Sequence, residues 1–526
     1  MAGIGENSIG SGRSSDRWSL VLLAMVVVLA LLQACGGGGG GGGGGTPPVI
    51  VAPTLDDEVR AVITAKGLTG NPAAGRALPS INDPLAQLGK LLFFSKSLSG
   101  DMDTACASCH HPALGGGDGL ALPVGVGAVD PDVLGPGRTR PDGLPNVGRH
   151  SQTVFNVGLY DDGLFWDARV ESIGKEAGQN GSGSGIRTPE TPLNSADPLL
   201  PVGTNLVAAQ ARFPVTIPEE MRGSFLPGAD EETLRARLAA RIGDYGDGAG
   251  EIPNNNWLAE FQTAFVSAEP ADLLITFDNI ALAIGEYQRS MVFIETPWKA
   301  YIEGDLAAIP DAAKEGAKLF FGSPEPGLGC SDCHGGDFFT DERNTIVGFP
   351  QIGPGKGDGP NGDEDFGREQ QTANAQDRFM FRTPTLLNLL ATAPYGHTGS
   401  LSFFGATAHY FIPQDTFNDE LPAGSVCGIE QFANHPDCAT LFPNVVGNSN
   451  SALQAAIQQR NIDPSLTFPD LFFSPQSDAP LMFAFLEALT DPCTLDRNCL
   501  APWIPDPAEA PDGNQLNAVD ANGNPL

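Results

Sequence analysis

Histidine and positive charge are scarce in this 526-residue chain, and each scarcity excludes something. Only seven His are present, too few to give every metal centre a generous imidazole set. The 29 Lys and Arg stand against 63 Asp and Glu, a formal net charge of −34. That excess repels nucleic acid and the anionic face of a membrane, so neither is expected as a partner. Apolar length is short as well. The run Leu20–Leu32, behind Arg13 and Arg17, suits a signal-peptide core and cannot span a bilayer. It ends Leu32-Gln33-Ala34-Cys35, the form of a bacterial lipobox with Gln33 where a small residue is commoner. Gly36–Gly45 has no side chains to pack and reads as a flexible leash. The expectation is a signal peptide over 1–34, then a lipid acceptor at Cys35 and a tether over 35–55. The mature protein is then exported to the periplasm and anchored by lipid at the outer membrane.

Two short stretches dominate what is present: Cys106-Ala107-Ser108-Cys109-His110 and Cys330-Ser331-Asp332-Cys333-His334. C-x-x-C-H is the spacing of covalent c-type haem attachment. Two thiols reach the two vinyl groups on one porphyrin edge, and the adjacent His swings beneath the iron. A zinc ribbon would use both pairs together, yet more than two hundred residues separate them, far beyond ordinary ligand spacing. A thioredoxin-like pair needs neither the His nor a second copy. Two haems are expected, held by Cys106, Cys109 and His110 and by Cys330, Cys333 and His334.

The body is a duplication. Leu88-Gly89-Lys90-Leu91-Leu92-Phe93-Phe94 precedes the first motif as Glu315-Gly316-Ala317-Lys318-Leu319-Phe320-Phe321 precedes the second. Arg149…Thr153-Val154-Phe155-Asn156 is echoed by Arg382…Thr385-Leu386-Leu387-Asn388, each reading as a helix start. Apolar runs with helical spacing follow at Leu273–Phe293 and Leu481–Leu489. The fold class expected is mainly α with long loops: two cytochrome c-like domains, each filled by one covalent haem. The N-terminal domain is assigned to 56–269 and the C-terminal one to 270–500, with a loop-rich insertion at about 413–475 and a disordered tail at 501–526. Of nine Cys, four remain after the haem thiols and Cys35, and local pairs Cys427–Cys438 and Cys493–Cys499 are their simplest use.

Several ordered motifs carry a family resemblance. They include Pro112-Ala113-Leu114-Gly115, Phe165-Trp166-Asp167, Pro218-Glu219-Glu220-Met221, Phe277-Asp278-Asn279, Phe381-Arg382-Thr383-Pro384 and Ala393-Pro394-Tyr395-Gly396-His397-Thr398-Gly399. From about Ile81 to Tyr410 the chain resembles the bacterial di-haem cytochrome c peroxidases and, more closely, their methylamine-utilisation (MauG) branch. The resemblance implies an oxidoreductase that reduces hydrogen peroxide at the N-terminal haem, with electrons relayed through the C-terminal haem. It implies catalytic roles for Trp166, between the haems, and for Glu220, the distal acid–base group, with Glu219 its wrong-register competitor. The family's helper glutamine falls on Glu176, ahead of an insertion at about Gly178–Phe213.

The departures matter. The family's capping His falls on Val126, within Pro123-Val124-Gly125-Val126-Gly127, and valine cannot ligate, so the first iron is expected to be open. The sixth ligand of the second iron is expected at Tyr410, with His409 the alternative. A calcium ion is implied at Thr392 and Pro394, but His150 takes the place of the family's Asn, and imidazole is a poor calcium ligand. Electrons would come from a small cytochrome c or cupredoxin. In the MauG-like alternative they come from a side chain of an exported partner protein. A carrier with both irons capped, His150 serving at the first, is the non-catalytic alternative.

Overall fold

A glycine at each of two helix crossings sets the architecture. The computed structural model describes residues 52–322, 328–411, 413–467 and 477–526. The expected signal peptide, Cys35 and the glycine tether lie outside the described residues. The helices that position the site are α1 (Leu55–Lys66), α2 (Pro84–Phe94), α3 (Leu206–Gln210), α4 (Phe277–Arg289), α5 (Asp311–Phe321), α6 (Phe403–His409), α7 (Val445–Ile462) and α8 (Asp478–Glu487). α2 begins on Pro84, a residue pre-set for the first helical position, and buries Ala86, Leu88, Leu92 and Phe93 at helical spacing. It crosses α4 so closely that a Cβ on Gly89 would lie 1.9 Å from the Ala283 carbonyl oxygen. In the second half α5 crosses α8 in the same way, a Cβ on Gly316 falling 2.0 Å from the Leu481 carbonyl oxygen.

The echo between halves continues in the loops. Asn156 (φ 62°) and Asn388 (φ 68°) both adopt the left-handed conformation, which asparagine tolerates. Both also donate Nδ2–H to the Phe293 carbonyl, at 3.0 and 2.9 Å. Each is preceded by a threonine hydroxyl that accepts a backbone N–H two residues on, Thr153 from Phe155 and Thr385 from Leu387. Each is followed by one 3₁₀ turn, Val157–Leu159 and Leu389–Ala391. The expected helix starts are therefore single turns, because a left-handed residue cannot open an α-helix.

Strands are few. β1 (Gly163–Leu164), β2 (Val170–Ser172) and β3 (Ile186–Arg187) form an antiparallel sheet with Gly163 opposite Glu171 and Glu171 opposite Arg187. β4 (Asn344–Thr345) pairs with β5 (Phe381–Arg382), Asn344 facing Arg382.

Among the described residues the two larger of five apolar cores each draw on both sides of residue 270. The first joins Leu88, Leu92 and Phe93 to Ile280, Ile284 and Tyr287, so α4 completes the first half although the sequence reading gave it to the second. The second joins Trp298, Phe320, Phe321 and Phe485 to Val59 and Val62, so α1 crosses over in the opposite sense. Helix partners are chosen by complementary apolar faces, whatever their order in the chain.

The 501–526 tail is also corrected: it is laid down along the first core. Trp257 donates to Asp512 (2.8 Å), Leu516 N–H to the Phe94 carbonyl (2.8 Å) and Leu134 N–H to the Val519 carbonyl (2.9 Å). Backbone pairing needs no apolar composition, and this is why composition misses it. The 413–475 insertion, read as loops, contains α7, whose Ala452 and Ala456 pack beside Phe379 and Met380. It also closes the Cys427–Cys438 disulfide, and the second pair is Cys493–Cys499. Pro53–Leu526 form one unit, and among the described residues no helix is long and apolar enough to cross a membrane.

Two outcomes follow from these packings. Gly316→Ala places a methyl against the Leu481 backbone, and urea unfolding should show a loss of about 1–3 kcal/mol despite alanine's better helix propensity. The second concerns Glu342, whose carboxylate accepts N–H bonds from Asp161 (2.9 Å) and Asp162 (2.7 Å) across the two halves. Burial pushes its carboxyl up to about 7 from the ordinary 4.5, against those bonds. The folded state thus binds more protons than the unfolded chain between these values, and stability falls as pH rises through about 7. The urea midpoint should drop between pH 5 and 8 by more in the unaltered protein than in Glu342→Gln; equal slopes would exclude Glu342 as the source.

Candidate active site

Both C-x-x-C-H motifs open into one cavity of about 2900 Å³, mouth included. Cys106, Cys109 and His110 line one part of it and Cys330, Cys333 and His334 the other, so the structure brings the two sets together in one space. Their four thiols are unpaired, while two disulfides close elsewhere in the same chain. Burial pushes Cys106 and Cys330 up to about 12 and Cys333 to about 11, so each is a protonated thiol. His110 Nδ1 lies 3.3 Å from the Gly116 carbonyl and His334 Nδ1 lies 3.1 Å from that of Phe339. With Nδ1–H donating to a carbonyl, the lone pair sits on Nε2, the tautomer an iron ligand needs. Burial lowers both imidazoles from their ordinary value, which favours the neutral ligand form. Thiol pairs, oriented imidazoles and one large apolar-walled cavity fit two covalently attached haems.

Trp166 lines the cavity on a backbone bent to present it. Phe165 (φ 68°) and Ala168 (φ 50°) flank it in the left-handed region, unusual for side chains with a Cβ. Its indole N–H donates to the His150 carbonyl (2.9 Å), and its own carbonyl accepts from Arg382 N–H (2.8 Å). Arg149 pairs with Asp167 at 2.8 Å and with Asp365 at 2.6 Å, all three side chains nearly without solvent contact. Burial disfavours the guanidinium, but the two carboxylates outweigh it and hold Arg149 above its ordinary value.

Glu220 follows Pro218 in a single π turn, is half-buried, and reaches the cavity. Protein surrounds it on the other sides, and burial raises its carboxyl against the pull of Arg169 and Lys356. Gly125 fixes the turn's place: a Cβ there would lie 2.0 Å from the Glu219 carbonyl oxygen. Asn146 Nδ2 donates to that same carbonyl at 3.0 Å. Glu219 is exposed and does not line the large cavity, whereas Glu220 does. Val126 also stays outside the cavity lining.

Glu176 is a correction. It is exposed in the turn after β2 and does not line the cavity. Gln210, at the end of α3, lines it instead. α3 is capped by Asn205 and set close against α4 at Gly285, where a Cβ would come within 2.9 Å of Ala208. Gln210 stands ten residues before Glu220 in the chain.

At the second motif Tyr410 lines the cavity, its phenol raised by burial and by the nearby Cys333 and Cys330. His409 is buried outside the lining, with Nε2 at 2.8 Å from the Val347 carbonyl. Met482 of α8 lines the cavity as well. Thr392, Pro394 and His150 line it too, but His150 Nδ1 is engaged by the Leu120 carbonyl (2.8 Å). Among the described residues no three His, Cys, Asp or Glu side chains gather as a metal site. With His150 in place of an asparagine and its ring engaged by Leu120, this donor set does not fit calcium.

The chain is similar to known proteins over much of its length. A family model described as di-haem cytochrome c peroxidase matches residues 83–307. The methylamine utilization protein MauG of Methylorubrum extorquens is 29% identical over 328 residues, 62% of this chain and 67% of that protein. The cytochrome c551 peroxidase of Pseudomonas aeruginosa is 29% identical over 322 residues, 61% of this chain and 69% of that one. Among solved structures, a MauG-like protein associated with microbial copper homeostasis aligns at 20% identity and a TM-score of 0.49, covering 82% of this chain and 96% of its own.

Tyr410→Phe removes the cavity-lining tyrosine's hydroxyl nearest in influence to Cys330 and Cys333. The absorption spectrum of the low-spin haem should change, and an unchanged spectrum would remove Tyr410 as a ligand.

Proposed function

The chain is a relative of the bacterial di-haem cytochrome c peroxidases and MauG proteins, an oxidoreductase by that kinship, and on that premise we propose that it reduces hydrogen peroxide on the His110 side of the cavity. In this reading the chain holds two cytochrome c-like domains, and electrons arrive on the His334 side. The observation that carries it is the single cavity shared by both C-x-x-C-H motifs, Glu220 and Trp166.

Attached through thioethers at the two motifs, haem groups supply the iron redox chemistry that peroxide reduction requires. The residues do the rest. Glu220, as carboxylate, takes a proton from one peroxide oxygen and returns it to the other as the O–O bond breaks, so that the second oxygen leaves as water. Gln210 has an amide donor and an acceptor with which to orient the bound peroxide. Trp166 offers an aromatic surface between the two motifs for electron passage, held still by the His150 carbonyl and the Arg149–Asp167 pair.

The donor fitting this reading is a small cytochrome c or cupredoxin. One observation favours the MauG-like alternative, peroxide-dependent oxidation of a partner protein's side chain: Tyr410 lines the cavity near Cys330 and Cys333, and a phenolate ligand there would stabilise higher iron oxidation states. The place of work is the periplasm, with Cys35 lipid-anchored at the outer membrane; the short apolar run, the lipobox form and two local disulfides support this.

Glu220→Gln should keep both haem absorption bands and lose peroxide turnover by about 10²–10⁴-fold, measured with a reduced small cytochrome. Unchanged turnover would move the acid–base role elsewhere.

A further inference from the structure

Two cavities meet at Glu220. The smaller, about 680 Å³ with its mouth, runs between the Asn146–Gly148 segment, the Ile217–Glu220 turn and the Pro354–Gly357 loop. It shares only Val147, Glu220 and Lys356 with the large cavity. Its walls are tied together. A Cβ on Gly148 would lie 2.1 Å from the Gly355 carbonyl oxygen. Lys356 N–H donates to the Glu364 carbonyl (2.8 Å), and Gln370 Nε2–H donates to that of Lys356 (3.2 Å). Gly355 (φ 63°) and Gly357 (φ 87°) allow the loop to turn Lys356 inward.

We propose that this small cavity is the inlet by which peroxide reaches Glu220, and that Lys356 is the positioning residue at its inner end. The proposal deepens the peroxide reading above and rests on it. The large cavity is the space the two motifs require for their covalent groups, whereas the small one ends on the proton-handling carboxyl. Peroxide carries O–H donors and oxygen lone pairs; Glu220 accepts from the former, and the Lys356 ammonium donates to the latter. The charged groups facing Glu220 are Arg169, Lys356, Glu219 and Arg149, and those facing Lys356 are Arg149, Arg169, Glu220 and Asp365. Of these, only Glu219, Glu220 and Lys356 line the inlet.

The test uses the ferric holoprotein and cyanide, a small probe that reports arrival at an open iron by its absorption change. Ile217→Trp narrows the inlet and should slow cyanide association by about tenfold with the equilibrium spectrum of the complex unchanged. Ile217→Phe carries the same test if the larger ring prevents folding. Lys356→Met keeps the stem and removes the charge that lowers the proton affinity of Glu220. The acid limb of peroxide turnover should then move up by roughly one pH unit, and Lys356→Arg should bring it back. Unchanged cyanide association in the Ile217 variants would overturn the inlet, and an unmoved limb in Lys356→Met would overturn the role of Lys356. In both cases the peroxide reading stands. Absence of cyanide binding in the unaltered protein would overturn the inlet together with the open-iron reading beneath it.

Discussion

One buried guanidinium holds the site together. Arg149 belongs to the first half and sits between Asp167 of the same half and Asp365 of the second, all three shut away from water. Leaving any one of them unpaired would strand a buried charge, a far larger cost than a surface ion pair could repay. The triad is therefore a registry device. Asp167 adjoins Trp166, His150 adjoins Arg149 and accepts from the Trp166 indole, and Asp365 lies just beyond the loop that carries Lys356. Shifting one half against the other would break the ion pairs and move the tryptophan at once.

The rest of the site uses close backbone approach in place of charge. Gly125 lets the Glu219 carbonyl approach within reach of Asn146, and that contact fixes where Glu220 stands. Gly89 and Gly316 let helices touch at their backbones, and each of the helices that carry them ends in a buried Phe-Phe pair ahead of its C-x-x-C-H motif. The duplication is thus visible in geometry, down to two left-handed asparagines that share a single acceptor at Phe293.

What was legible in the sequence was what chemistry demands locally. The C-x-x-C-H motifs, the two disulfide pairs and the apolar spacing of the four central helices needed only a few neighbouring residues to be read, whereas Trp166 and Glu220 were named through the family resemblance. What depends on distant partners was not. Glu176 was chosen by register from the family pattern, yet it stands in an exposed turn, and the glutamine that lines the cavity is Gln210. Lys356 sits in a Gly/Pro loop with no pattern of its own, and only the meeting of two cavities gives it meaning. The half boundary failed because α1 and α4 exchange sides, and the C-terminal residues were misread because their hold is through backbone hydrogen bonds.

Those C-terminal residues also bear on what the fold can spare. Asp512 accepts from the Trp257 indole, Leu516 N–H donates to the Phe94 carbonyl and the Val519 carbonyl accepts from Leu134 N–H. Without them a fully buried indole N–H and two backbone groups of the first core would lose their partners, a cost on the order of a few kcal/mol. The segment is a structural part of the first half and not a trailing appendage.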